Sequence, residues 1–150
     1  MANTQDLQFT DQAATSGVID IQQGQLALSA SPTFAVAQFG GQLAAEHTSL
    51  NAQLAGILQA EGLPQPTAFD PAIQYSIATE VNLYGPNSNE AFLTDEITGH
   101  QQDIANYRQE TLYGQDPQLR QFAAATLPVL QGELNSATTL LNYDYQGFLG

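Results

Sequence analysis

Four stretches of this chain repeat their apolar residues at intervals of three and four, and proline, glycine or a small polar residue punctuates each one. That interval brings positions onto one face of an α-helix and scatters them over both faces of a strand. In the first stretch the repeat is Phe9, Ala13, Gly17, Asp20, Gly24 and Ala27, and Asp6 as N-cap predicts a helix over residues 7–30. Ser31-Pro32 reads as a cap with proline at the first helical position. The second repeat, Val36, Phe39, Leu43, His47, Leu50, Leu54 and Ile57, then predicts a helix over 32–61 that Gly62-Leu63-Pro64 ends.

The third repeat, Leu93, Ile97, His100, Ile104 and Tyr107, predicts a helix over 89–114, capped from within Asn87 to Asn89. Asp116-Pro117 repeats the cap-then-proline device, and Leu119, Phe122, Thr126, Leu130, Glu133, Ala137 and Leu140 predict a helix over 117–141. Pro128 lies inside that repeat and should kink it, because proline removes a backbone donor. Residues 62–88 are irregular, with prolines around a short apolar segment from Ile73 to Tyr84 that has room for about two or three helical turns. Two short connections and one long one match two helical hairpins joined by a crossover. The expected fold is therefore all-α, a ferritin-like antiparallel four-helix bundle in a single domain over residues 1–150. Alanine, glutamine and leucine outweigh β-branched residues, which speaks against a strand-rich alternative.

Composition narrows the partners. The chain has 15 acidic residues against Arg108 and Arg120, no lysine, and a formal net charge of −13. Such a surface repels phosphate backbones and anionic membranes, so no nucleic-acid partner is expected. The two arginines should make surface ion pairs with nearby acids. With no cysteine, disulfides and thiolate metal sites are excluded. No apolar run reaches the roughly 20 residues of a membrane span. The opening MANTQDLQFTDQ lacks the basic and apolar regions of a signal peptide, so a leader of an exported precursor would already have been removed. Only 11% of residues are charged, and Gln, Asn, Ser and Thr supply the remaining polarity. Those side chains keep hydrogen bonding when carboxylates are protonated, which suits an acidic extracytoplasmic setting, whether periplasmic, secreted or associated with the envelope.

Each helical repeat carries one polar interruption near its midpoint: Asp20, His47, His100 and Glu133. In antiparallel helices midpoints meet at one level, so the four should converge, with Glu46 beside His47 and Glu96 one turn before His100. Imidazole nitrogen and carboxylate oxygen are ligands of Fe, Mn, Zn and Cu, and further carboxylates orient a ligating ring or bridge a second ion. The same residues would also satisfy one another as a metal-free buried network. Tyr75, Tyr84, Tyr107 and Tyr113 are expected to pack rather than to act in redox chemistry. Gly40-Gly41 and Gly99 are expected at close helix–helix approaches. No phosphate-cradling loop or nucleophile elbow is present.

The segments DLQFTDQAATSGVIDIQQGQLAL, FAVAQFGGQLAAEHTSLNAQL and QLRQFAAATLPVLQGEL, with the later part of the third repeat, resemble a bacterial family of ferritin-like proteins. It is known as domain of unknown function 4142, and its members are described as exported or outer-membrane proteins. The likeness covers most of residues 6–141, most recognisably at Glu46-His47 and at Leu127-Pro128 before Leu130. It implies that Asp20 stands where the family usually has Glu, Glu46-His47 where it has Asp-His, and His100 where it has His. Glu133 departs from a position where many members carry another His, which would lower affinity for a borderline metal or shift preference toward harder ones. Neither histidine has a glutamate three residues before it, which argues against a ferroxidase-type di-iron centre.

Two functions follow as expectations. One is an exported bundle with a His/carboxylate metal site, serving metal or oxidative-stress handling without strong catalysis. The other is a metal-free structural or self-assembling envelope protein, with homo-oligomers formed through the aromatic tail from Tyr143 to Phe148. A redox enzyme is the least favoured reading.

Overall fold

A computed structural model describes residues 1–81 and 88–145, with only the backbone of Tyr145. The described residues form five α-helices and a short 3-10 turn, without a strand. Helix α1 spans Thr4–Ala30, α2 Phe34–Glu61, α3 Pro71–Glu80, α4 Ser88–Tyr113 and α5 Pro117–Tyr145, with the 3-10 turn at Thr67–Phe69.

The first helix begins a turn earlier than Asp6 suggested. Asn3 is the N-cap: its side chain accepts from the Asp6 N–H at 2.9 Å, and the Asp6 carboxylate accepts from the Asn3 N–H at 2.6 Å. Asp6 thus sits at the third helical position of a capping box. Its carboxylate also accepts the backbone N–H groups of Gln115 and Asp116, tying the start of α1 to the turn before α5.

Ser31-Pro32 does not open α2 either. Ser31 closes α1 through its N–H to the Ala27 carbonyl, and α2 starts after Thr33. The Ser31 hydroxyl oxygen accepts from the Thr33 N–H at 3.2 Å, within the turn that precedes α2. Asn89 on α4 donates its amide to the Thr33 hydroxyl at 2.8 Å and accepts from the Ser31 hydroxyl at 2.8 Å, so it staples the turn instead of capping α4. Asn87 lies outside the described residues. Gly62 does end α2, in the left-handed region at φ 69°, with the Leu63 N–H returning to the Leu58 carbonyl.

Asp116 caps α5 as expected, accepting from Gln118 and Leu119. That helix passes through Pro128 without interruption and reaches Tyr145, beyond residue 141. In the long connection, Asp70 accepts from the Ala72 N–H and Pro71 occupies the first position of α3, which lies against α1 and the 3-10 turn. Residues 82–87 and 146–150, including Tyr84 and Phe148, lie outside the described residues.

The four long helices pair as α1 with α2 and α4 with α5, and the hairpins join along the α1/α4 and α2/α5 seams. Two apolar cores result. One holds Phe9, Val18, Leu54, Leu58, Tyr107, Leu119 and Phe122, and the other Val36, Phe39, Leu43, Phe92, Leu93 and Ala137. Tyr107 packs edge-on against Phe9 with ring centres 4.8 Å apart, whereas Tyr75 and Tyr113 are exposed. Leu50, Ile57, Ile97 and Leu140 of the predicted stripes are only partly buried. Arg120 donates Nε to the Thr111 carbonyl, and among the described residues neither arginine lies within ion-pair distance of an acid. Among the described residues the expected surface ion pairs are therefore not formed, and Arg120 is engaged by a backbone carbonyl instead.

Gly24 and Gly40 let α1 and α2 touch backbone to backbone. A Cβ on Gly24 would lie 2.4 Å from the Gly40 carbonyl oxygen, and one on Gly40 would lie 2.6 Å from that of Gly24. Gly41 meets only the Leu28 side chain, and a Cβ on Gly99 would meet nothing within 4 Å, so Gly99 is not a point of close approach. The two kinds of glycine should respond oppositely to alanine. Gly24→Ala should lower unfolding free energy by about 1–3 kcal/mol through overpacking. Gly99→Ala should raise it by about 0.5–1 kcal/mol through helix propensity. Urea midpoints of both variants check the pair of signs.

Candidate metal centre

The stripe of each long helix delivers one polar side chain into the layer between the two apolar cores. Asp20 comes from α1, His47 from α2, His100 from α4 and Glu133 from α5, and all four are buried, at 6%, 3%, 1% and 6% exposure. His47 Nε2 lies 2.9 Å from Glu133 Oε1 and 3.4 Å from Asp20 Oδ2. His100 Nε2 lies 3.2 Å from the same Glu133 oxygen. The two imidazoles stand nearly perpendicular with centres 5.9 Å apart. One ligand atom from each of Asp20, His47 and His100 can be chosen so that all three lie within 4.8 Å of one another.

The other face of His100 fixes its tautomer. Nδ1 lies 2.8 Å from the backbone carbonyl of Glu96, one turn earlier on α4. A carbonyl only accepts, so Nδ1 carries a proton. A neutral His100 therefore presents a bare Nε2 to the layer, which is how a ligating histidine is held by a group behind it. Without a cation, the contact between Nε2 and Glu133 requires a proton on one of the two.

The electrostatics agree with this. Burial opposes a charged His100, but the bond to Glu133 and the Asp20 charge outweigh it and hold the ring's pKa at about 9. His47 is raised for the same reasons, again against its burial. Burial also works against a charged Glu133, yet the His100 and His47 bonds pull it down to about 2. Asp20 and Glu96 go the other way, each pushed up first by burial, and Glu96 further by the Asp20 charge. Among the buried oxygens, Asp20 Oδ2, Glu133 Oε2 and both Glu96 Oε atoms have no hydrogen-bond partner.

Asp20, His47 and His100 are the residues whose ligand atoms come close enough together to share an ion, and Glu133 lies beside both rings. Bonds of about 2.0–2.1 Å in a tetrahedron place ligand atoms about 3.3 Å apart. The observed separations of 2.9, 3.2 and 3.4 Å lie around that value.

Of the two flanking residues singled out, Glu96 is fully buried behind His100, with Oε2 3.4 Å from Nδ1. Glu46 is half-buried beside Glu133 and accepts from Gln42, in a cleft between α2 and α5. The periodicity missed Asp103, buried one turn beyond His100 and accepting the Ser16 hydroxyl. Burial and the Asp20 charge push Asp103 up to about 6. A signal existed, since Glu96, His100 and Asp103 recur at intervals of four and three on α4. A second buried acidic pair lies at the Asp6 end, where burial and the neighbouring Asp6 carboxylate raise Glu110 to about 8.

These shifts set the sign of stability against pH for the metal-free protein. Folding raises His100 from 6.5 to about 9 and Glu110 from 4.5 to about 8. Both contributions are full below the unfolded values and vanish as pH rises through the folded ones. Glu133 acts oppositely, but it loses its contribution only as pH falls from 4.5 through about 2. Stability in chelator should therefore decline steadily from about pH 5 to pH 9. Glu110→Gln, which fixes the neutral form, should match the parent near pH 5 and exceed it at pH 9. Denaturant midpoints at the two pH values measure both effects, and an unchanged slope in the variant would remove Glu110 from the account.

Comparison with known proteins adds the family and the fold. No curated protein matches the chain. The crystal structure of a DUF305 fragment from Deinococcus radiodurans superposes with a TM-score of 0.73 at 17% identity, covering 94% of this chain and 97% of that one. At that identity the likeness speaks for the fold alone. The profile of the family described as domain of unknown function DUF4142 matches residues 1–140, and the chain belongs to that family.

Proposed function

We propose that this chain is a ferritin-like antiparallel four-helix bundle that binds one divalent transition-metal ion through His47, His100, Asp20 and Glu133. The observation that carries this reading is the Glu96 carbonyl on His100 Nδ1, which aims Nε2 at His47 and the carboxylates. Two imidazoles and two carboxylates suit Zn, Cu, Fe or Mn, with the second carboxylate favouring the harder members. The ion would supply the positive charge that this layer otherwise obtains only from protons. Binding and handling of metal, rather than turnover, is the role that fits a centre whose four side chains are all buried.

We also place the protein outside the cytoplasm. Support comes from its neutral-polar surface chemistry and from buried acids that favour folding at lower pH.

Equilibrium dialysis of the metal-free protein against Zn(II), Cu(II), Mn(II) and Fe(II), followed by elemental analysis, tests the site. One equivalent of at least one metal is expected, and none in the His47→Ala/His100→Ala variant. Free metal at about 100 times its dissociation constant should stabilise the fold by about 2.7 kcal/mol. A parent that stays metal-free, or a double variant that binds equally, rejects the reading and leaves the polar layer as a packing device. In that case Glu133 shared between two rings would serve only to fix how the helices align.

A further inference from the structure

Three helical glycines, Gly56, Gly99 and Gly132, have open space where a Cβ would be, so packing does not require them. Glycine in mid-helix is unfavourable, and an unrequired one invites another explanation. Gly99 and Gly132 line opposite grooves, and each groove reaches a residue of the metal centre.

The groove containing Gly99 follows the seam of α1 and α4 and has a volume of about 440 Å³. Its mouth carries the carboxylates of Asp11 and Asp95, Asp103 stands further in, and Asp20 forms part of its wall. No arginine lines it. Asp20 is 6% exposed, its Oδ2 has no hydrogen-bond partner, and that oxygen is 3.4 Å from His47 Nε2. The Asp20 carboxylate, lining the groove and paired on its inner side with His47, thus joins the groove to the imidazoles. The opposite cleft, along α2 and α5, is smaller at about 290 Å³. Phe39, Leu43, Pro128 and Val129 line it together with Gln42 and Ser136, and Glu46 is the one carboxylate ahead of Glu133.

Resting on the metal reading above, we propose that the α1/α4 groove is the path by which the cation reaches the centre. Asp103 is its loading residue, and Gly99 keeps the passage open. A hydrated cation meets carboxylates at successive depths and can exchange water for oxygen ligands before imidazole nitrogen closes around it. The Ser16 hydroxyl holds Asp103 toward the groove through its hydrogen bond to Oδ2.

The test is the rate of Zn(II) transfer from a chromophoric chelator into the metal-free 150-residue protein, followed by stopped flow, together with the rate of return to excess chelator. Gly99→Leu should slow uptake and release together by about tenfold while leaving equilibrium affinity near the parent value. Asp103→Asn, which keeps the size of the side chain, should slow uptake by about tenfold and weaken its dependence on salt. Gly132→Leu and Gly56→Leu should exchange at the parent rate. Slowing by Gly132→Leu in place of Gly99→Leu would move the path to the α2/α5 cleft and overturn the proposal. Parent rates in both Gly99→Leu and Asp103→Asn would also overturn it. If the parent binds Zn(II) stoichiometrically and no variant alters the rates, only the path is lost. If the parent binds none of the metals tested by dialysis, the metal reading falls and the path with it.

Discussion

Glu133 Oε1 lies within 3.2 Å of an imidazole on α2 and of another on α4, so one carboxylate oxygen links the two hairpins. A charge this deep is tolerable only where its partners stay in place. Asp20 approaches the same His47 nitrogen from α1, and with it every long helix contributes to one polar layer. Relative alignment of the helices is therefore specified twice, once by the apolar cores on either side and once by donors and acceptors between them. An apolar layer at this height would hold the helices together with less demand on register.

The layer contains more acid than base. Asp20, Glu96, Asp103 and Glu133 are buried beside two imidazoles, while both arginines lie exposed at the surface. Neutrality requires either protons on some carboxyls or a cation among them. Burial selects which carboxyls take protons: Glu96, behind His100 and beside the Asp20 charge, is raised well above its usual value, while Glu133, bonded to both rings, stays ionised. The gradient of acidity across a few ångströms follows from who touches the imidazoles.

The helices and their inward faces were legible in the sequence because a period of 3.6 survives errors in the helix ends. Asp20, His47, His100 and Glu133 were located on that basis alone, and their shared level followed from the two-hairpin connectivity. Helix starts were less legible, because a cap is decided by competition. Asp6 lost the N-cap to Asn3 and found partners in the turn before α5, and Ser31 closes α1 while its hydroxyl accepts from Thr33 and donates to Asn89, 58 residues away. Asp103 escaped notice because the apolar stripe passes through its neighbour Ile104, and both are buried. Gly40 and Gly99 look alike in sequence. Only the crossing of α1 over α2 distinguishes a glycine with a backbone 2.6 Å from its missing Cβ from one with nothing near.

The absence of lysine gives the layer its chemical character. A lysine ammonium at this depth would neutralise one carboxylate permanently and bind no metal. Imidazole can hold a proton or, once it is released, offer the same lone pair to an ion. Because Nδ1 of His100 is committed to the Glu96 carbonyl, that choice falls on Nε2, the atom facing Glu133 and His47. On the proposed metal reading, proton and metal would compete for that one place, and binding an ion would release protons into the solvent. The composition that deprives this protein of permanent internal cations is what leaves its centre open to an exchangeable one.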